Sequence, residues 1–508
     1  MIKKQTVIIA VLCAVFIGLL VAYFAVVKPL TEAEETQTEP PAVETDEGES
    51  VGMGIGKILV YEYVKNEDIQ TITVTNEYGE YTVYRDEEGS PQIKGFEGVS
   101  FHKETMASLM TSIGYPLAIT KIEDPNELSE YGLAEVTLED GSVKRPASFE
   151  FTTKDGKSFR GLVGDKIVTG NGYYFLYEKR PDVVYVLDLT IAGTVLAPVE
   201  ALVDPMIVTP LTENDYFLVH DYILMKGDDT ILSFDYIEES ERADTENVTK
   251  TYRMLSHDYL YPSDEAIADA MYGLFTSVND GILETVKLGF DEQDLEKYNL
   301  TGNCYSLYYK HNGLENFILI SPRSADGTYY VASPLFRQIV KGGDDTFGFV
   351  RRDLFDWVEP SFFQMKIGFI SDITVAAGDF SVTYDLRGEG QNLTVTERGT
   401  GKKPDVTNFR QFYKTLLYAS YEGESALTSD ELAIYRSMPD SEAQVVLTIN
   451  TEAGTELKYR FFRYSERRSF VDFGERGQFY CLSTMAEKIL ADAKRVQSGE
   501  EINSTGKY

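Results

Sequence analysis

Three stretches of the chain repeat one order of apolar and polar positions. In the first, Ile69-Gln70-Thr71-Ile72-Thr73-Val74 and Tyr81-Thr82-Val83-Tyr84 alternate across a Glu77-Tyr78-Gly79-Glu80 turn. A period of two marks half-buried antiparallel strands. The period then becomes helical, with Phe101, Met106, Leu109, Met110 and Ile113 in one stripe, which predicts a helix over about 102–113. Two hairpins close the unit. One turns at Asp155-Gly156, and the other runs from Gly172-Tyr173-Tyr174 to Val183-Val184-Tyr185-Val186-Leu187.

The second stretch has strands at Tyr216-Phe217-Leu218-Val219 and Ile231-Leu232-Ser233-Phe234, and a helix over about 263–278. A hairpin at Asn312-Gly313 and Gly327-Thr328-Tyr329-Tyr330-Val331 follow. The third has Ile373-Thr374-Val375 and Phe380-Ser381-Val382-Thr383-Tyr384, and a helix over about 406–419 whose Phe409, Phe412, Tyr413, Leu416 and Leu417 face inward. Its hairpin turns at Ala453-Gly454, Gly477-Gln478-Phe479-Tyr480 follows, and a last helix spans about 484–496. The Tyr-Tyr pairs read as strand residues rather than a ligand platform.

A short motif sits between helix and hairpins each time: Asp124, Glu127, Leu128, Tyr131, Gly132, Leu133; then Asp291, Asp294, Leu295, Tyr298, Asn299, Leu300; then Thr428, Glu431, Leu432, Tyr435. Asp124, Asp291 and Thr428 are N-cap types, and the acid three residues on completes a capping-box pattern. Leu and Tyr three apart share a helix face. Gly132 and Asn299 tolerate the left-handed conformation that ends a helix. The motif therefore reads as a structural joint. The fold class that follows is α+β: one N-terminal transmembrane helix, then three tandem α+β repeats of antiparallel β-hairpins with a packed helix. The repeats span 57–205, 206–360 and 361–497, with a disordered tail at 498–508.

The N-terminal end adds a compartment. Thr6 to Val27 carries no charge over 22 residues, ~33 Å as a helix, enough for a ~30 Å hydrocarbon core. Lys3 and Lys4 precede it, and residues 29–56 form an acidic linker expected to stay extended. The positive-inside rule places 1–28 as a cytoplasmic tip and anchor, with the bulk extracytoplasmic at a bacterial cell membrane. Ala22-Tyr23-Phe24-Ala25 is a poor cleavage site, which favours an uncleaved anchor over a signal peptide. Lys+Arg of 47 against Asp+Glu of 82 gives a net charge of −35, a surface that repels nucleic acid. Cys304 and Cys481 fall in different repeats on non-equivalent strands, so a disulfide between them is disfavoured though left open.

Tyr131-Gly132-Leu133, a hairpin, Gly161-Leu162-Val163-Gly164-Asp165, Gly172-Tyr173-Tyr174 and Val183-Val184-Tyr185-Val186 together resemble the bacterial family called domain of unknown function 4340. The N-terminal anchor and polar linker are similar to that family as well. The resemblance covers about the first repeat. The second departs from it, with Asn299 for Gly and Ser321-Pro322-Arg323 where Leu-Val-Gly-Asp stood. It implies an exported, membrane-anchored bacterial protein that accompanies ABC-type transporter components of the gliding-motility or auxiliary-transport kind. No catalytic residues come with it.

Nothing in the chain spells a reaction. His102, His220, His257 and His311 lack metal-ligand spacing, and no nucleophile elbow, Ser-x-x-Lys or Walker loop is present. The acidic turns Asp86-Glu87-Glu88-Gly89 and Gly343-Asp344-Asp345 do not follow the EF-hand order. No catalytic, cofactor or metal residue is assigned. The expected function is a non-catalytic, membrane-anchored binding or scaffolding protein serving a transporter or envelope partner. An extracellular hydrolase acting on wall glycan or peptide, and a receptor for a cationic solute, remain as alternatives.

Overall fold

The computed structural model describes residues 56–209, 218–242, 251–257, 260–279, 282–474 and 478–502. The alternating stretches become long antiparallel strands, because β-branched and aromatic residues at every second position fit a pleat with one buried face. Contacts divide the chain after Val203 into two units.

The first unit holds a nine-stranded sheet. Its spatial order is Pro91–Ile93, Gly79–Arg85, Ile69–Asn76, Ala147–Thr153, Ser158–Lys166, Gly172–Tyr177, Val183–Asp188, Leu117–Glu123, Ile58–Leu59. The second unit holds two eight-stranded sheets. One runs Tyr252–Met254, Asp229–Tyr236, Val219–Lys226, Tyr305–His311, Leu314–Ile320, Tyr329–Ser333, Gln338–Gly342, Glu284–Leu288. The other runs Thr394–Glu397, Phe380–Arg387, Ile370–Ala377, Val445–Thr451, Glu456–Arg463, Arg468–Asp472, Gln478–Leu482, Gly423–Glu424. The three share a strand order, a hairpin whose first strand pairs with the start of a four-strand meander and a strand from between them added beyond the meander, with Ile58–Leu59 outside it in the first sheet. Two further two-stranded sheets pair Val136–Thr137 with Val143–Lys144 and Tyr261–Pro262 with Val358–Glu359.

Helices cover one face of each sheet. In the first unit Lys103–Gly114 and Leu189–Leu196 do so. Asp188 caps the start of the second of these, and the Asn76 amide donates to the Val195 and Ala197 carbonyls at its end, at 3.0 and 2.8 Å. Beneath them lies an aromatic core in which Tyr61 touches Phe159 and Tyr177 at 5.2 and 4.9 Å, and Phe151 stacks on Phe159 at 4.7 Å. In the second unit Asp264–Asn279 lies over its first sheet, with Ile267, Met271, Leu274 and Phe275 buried. Val406–Leu417 and Ser483–Ser498 pair over its second sheet. One apolar core runs through that unit, from Ile207 to Ile502. Ser483–Ser498 also carries a buried carboxylate into it. Asp492 accepts from Thr415 at 2.8 Å and Lys488 at 2.7 Å, and pairs with Arg495 at 3.2 Å. Past that helix the chain stays attached, because the Ile502 amide donates to Asn408 and the Ile502 side chain is buried.

Two expectations about the fold class are corrected. The architecture is mostly antiparallel β-sheet, with 39% of residues in strands against 25% in helices, rather than the expected α+β class of three tandem repeats of antiparallel β-hairpins with a packed helix. Its sheets are wider than the sequence pattern indicated because strands with broken alternation, such as Leu117–Glu123, join their far edges. The second correction concerns the membrane. Among the described residues no helix is long and apolar enough to cross one. The longest, Asp264–Asn279 and Ser483–Ser498, have 16 residues each, ~24 Å against a ~30 Å core, and both carry charges. The Thr6–Val27 run, Cys13, the linker up to residue 55 and Tyr216-Phe217 lie outside the described residues. The single-pass anchor is therefore not carried forward.

Candidate functional site

The motif residues build a small apolar cluster in each of the three sheets, apart from the main core. In the first, Leu133 packs with Leu176 and Val184, joined by Leu128 and Tyr131, and the Tyr131 ring meets Tyr174 at 5.0 Å. In the second, Leu300 packs with Ala332 and Ile339, joined by Leu295 and Tyr298, and Tyr298 meets Tyr330 at 4.8 Å. In the third, Leu432 and Tyr435 pack on Val446, Phe462 and Phe470, with Tyr435 and Phe470 4.7 Å apart. Asp291 with Asp294, and Thr428 with Glu431, form capping boxes. Gly132 and Asn299 both hold positive φ, 67° and 56°. Asp124 does not cap: it has φ 49° and turns the chain out of the Leu117–Glu123 strand, and the short helix begins only at Leu128, with no side-chain cap from Glu127. The motif touches no cavity described here.

An open hollow of about 640 Å³ lies beside the helix Asp264–Asn279, lined by Ser263, Glu265, Ala266, Asp269, Tyr272, Arg352 and Asp356 among others. A second, of about 300 Å³, shares Asp269, Tyr272 and Arg352 with it. The Arg352 guanidinium donates to the Ala266 carbonyl at 2.9 Å, pairs with Asp269 and lies 5.3 Å over the Trp357 ring. Beside it Asp344 accepts from Arg323 at 2.7 Å, from Arg351 at 2.8 Å and from the Tyr329 hydroxyl at 3.0 Å. The hydrogen bond from Arg323 leads in holding the Asp344 carboxyl down to about 2. The acidic turn at Gly343-Asp344-Asp345 is thus an ion-pair anchor. At the other acidic turn Asp86 accepts from the Glu88 and Ser90 amides, which lower its proton affinity. Among the described residues no group of three His, Cys, Asp or Glu is placed to hold a metal ion. Cys304 and Cys481 are both free and buried.

The first sheet of the second unit departs from the other two in one place, and on both faces. The fifth residue of its Val219–Lys226 strand, Ile223, pairs with Ser233 and Tyr308, and Tyr308 pairs with Phe317. The equivalent row of the nine-stranded sheet is Thr82, Thr73, Glu150, Arg160, and that of the third sheet is Thr383, Thr374, Thr448, Lys458. Those two rows carry hydroxyls and charges to solvent, with Thr73–Thr82 at 3.0 Å and Thr374–Thr383 at 2.8 Å. In the departing sheet Ile223, Tyr308 and Phe317 stand in their place beside Ser233, and Phe317 is 41% exposed.

The buried row beside it is reversed as well. Ile72, Phe151 and Phe159, and Ile373, Ile449 and Leu457, fill that row in the other sheets. Here it holds Tyr222, Tyr309 and Asn316, all buried. The Tyr222 and Tyr309 hydroxyls, the Asn316 Nδ2 and the Trp357 Nε1 find no hydrogen-bond partner in the described structure. Burial pushes both hydroxyls up; at Tyr222 the nearby Arg352 acts the other way. A buried donor left unpaired costs about 1–3 kcal/mol, so this interior row works against stability.

No family model, curated protein or solved structure matches the chain. Ile223, Tyr308, Phe317, Tyr222, Tyr309 and Asn316 lie outside every motif read from the sequence. The signal that could have found them is the comparison of equivalent strand positions between repeats.

Three outcomes follow from these contacts. A Cβ on Gly132 would stand 2.5 Å from Asp165 Cγ and 2.7 Å from its backbone nitrogen. Gly132→Val should therefore cost about 2 kcal/mol or more in urea unfolding, the left-handed backbone adding to the clash; an unchanged midpoint would refute the assignment. Tyr309→Phe removes an unpaired hydroxyl and should stabilise the protein by about 1 kcal/mol; a loss of stability would show that the hydroxyl has a partner. Asp344 has a depressed folded pKa of about 2, so its ion pairs contribute above the unfolded value of about 4 and fade as pH falls toward 2. Asp344→Asn should lower the melting temperature at pH 6, and the gap to the parent should close near pH 2; a gap independent of pH would refute this.

Proposed function

We propose that this chain is a non-catalytic binding or scaffolding protein, working through the faces of its sheets. The observation that carries the reading is the reversed polarity of one sheet out of three that share a strand order. Ile223, Tyr308 and Phe317 stand where the other sheets present Thr, Glu, Arg and Lys. An apolar row kept outside an otherwise strongly acidic chain costs solubility unless something covers it. The hollow at Arg352 supports this reading rather than a reaction, since its guanidinium is already engaged by Asp269 and Ala266.

The resemblance to the domain of unknown function 4340 family supports a partner drawn from a transporter or envelope complex. Chemical crosslinking of the full chain in cells that express it, followed by identification of the linked proteins, is the test. We expect the same partner in replicate preparations. No reproducible partner would sink the reading.

A further inference from the structure

We infer that the outer face of the Val219–Lys226 sheet docks an amphipathic helix of another protein, one whose apolar stripe is flanked by Lys or Arg. The inference rests on the binding reading above and names its surface and partner chemistry.

The face has the right extent. Ile223, Tyr308 and Phe317 lie on three adjacent strands, a row roughly 10 Å across at ~4.8 Å per strand. Met225, half-buried, pairs with Ser306 beside the row and widens it on one side. An apolar strip of that width matches the stripe of one helix. The fold already meets its sheets in this way, since every inner face is covered by helices. A strand-adding partner does not fit. Strand addition needs an edge, and the edges of this sheet are Tyr252–Met254 and Glu284–Leu288, not the strands that carry the row.

The charges around the row select the sign of the partner. Along one side Asp221 and Glu315 share Lys310, at 2.9 and 3.8 Å. Along another Asp235 and Glu238 meet Arg253, 2.7 Å from Asp235, and the His220 ring, whose Nδ1 lies 3.2 Å from Asp235 and Nε2 3.3 Å from Glu238. At the hairpin turn Asp228 and Asp229 accompany Lys226. The first and the last of these groups hold two carboxylates against one cation. A partner bringing Lys or Arg beside its apolar stripe completes these groups, whereas an anionic lipid surface is repelled. A second copy of this chain is disfavoured too, because two bodies of net charge −35 would have to meet.

The probe is a synthetic amphipathic helix of roughly 18 residues, ~27 Å long, made of Leu and Lys. A Leu–Glu helix and an oligolysine of equal length serve as comparisons. The full chain carries the photo-crosslinker p-benzoylphenylalanine at Phe317, or at Arg160 on the nine-stranded sheet. We expect the Leu–Lys helix to crosslink from position 317 and not from 160, and to bind at least tenfold more tightly than either comparison peptide. Phe317→Ser should weaken that binding at least tenfold. Tyr308→Thr, which installs the residue the third sheet has there, should weaken it in the same direction. Equal binding of oligolysine, equal binding of the Leu–Glu helix, crosslinking from 160 alone, or indifference to both substitutions would each overturn the proposal. So would docking on anionic phospholipid vesicles that is lost on Phe317→Ser. These results concern this face alone, so a partner recovered from cells with the face excluded would leave the broader binding reading intact.

Discussion

A pleated strand has two faces, and the described helices are enough to cover only one of them. Eight strands at ~4.8 Å make a sheet nearly 40 Å wide, while the covering helices, of 8 to 16 residues, are about 12–24 Å long. Everything else follows from that shortage. The inner face takes the aromatic and branched residues, and the outer face has to be tolerable in water. The Thr73–Thr82 and Thr374–Thr383 pairs show the usual solution: β-branched side chains that suit the pleat and satisfy one another's hydroxyls. The short motif helices shield part of what remains, each laying a Leu and a Tyr on a neighbouring apolar cluster.

One sheet breaks this rule in adjacent rows, outside and inside. Tyr308 and Tyr309 are neighbours in the chain and face opposite sides of the pleat, so a single pair of tyrosines serves both departures. Inside, hydroxyl and amide groups without partners reduce the net gain from burial. Outside, apolar area stays in contact with water. Both departures lower the stability of the isolated chain, and they coincide on the Val219–Lys226, Tyr305–His311 and Leu314–Ile320 strands. Constraints that oppose stability in one place are the usual mark of a surface shaped for something other than folding.

Much of the fold could be read from the residues. The hairpins at Asp155-Gly156, Asn312-Gly313 and Ala453-Gly454 were visible because those turn chemistries have few alternatives, and the helices at 103–114, 264–279, 406–417 and 483–498 because their stripes are clear. The capping boxes at Asp291 and Thr428 were legible, whereas Asp124 was not, since its left-handed turn depends on how the Leu117–Glu123 strand leaves the sheet. That strand was itself obscure because Leu117 and Ala118, adjacent in the chain, are both fully buried, which breaks alternation. The reversed rows were out of reach for a different reason. Which of two adjacent tyrosines faces solvent is a matter of register, and register is a relation between strands rather than a property of a string.

The two buried thiols carry a consequence of their own. Cys304 immediately precedes the Tyr305–His311 strand and Cys481 lies within Gln478–Leu482, so the two sit at different sheets of the second unit. Burial raises both proton affinities, Cys481 to about 12, and only the thiolate is nucleophilic. At neutral pH burial and protonation therefore slow the reaction of both sulfurs in the folded state. The protein thus contains two intrinsic clocks, one per sheet, from which the order of their opening can be timed by alkylation without introducing a label.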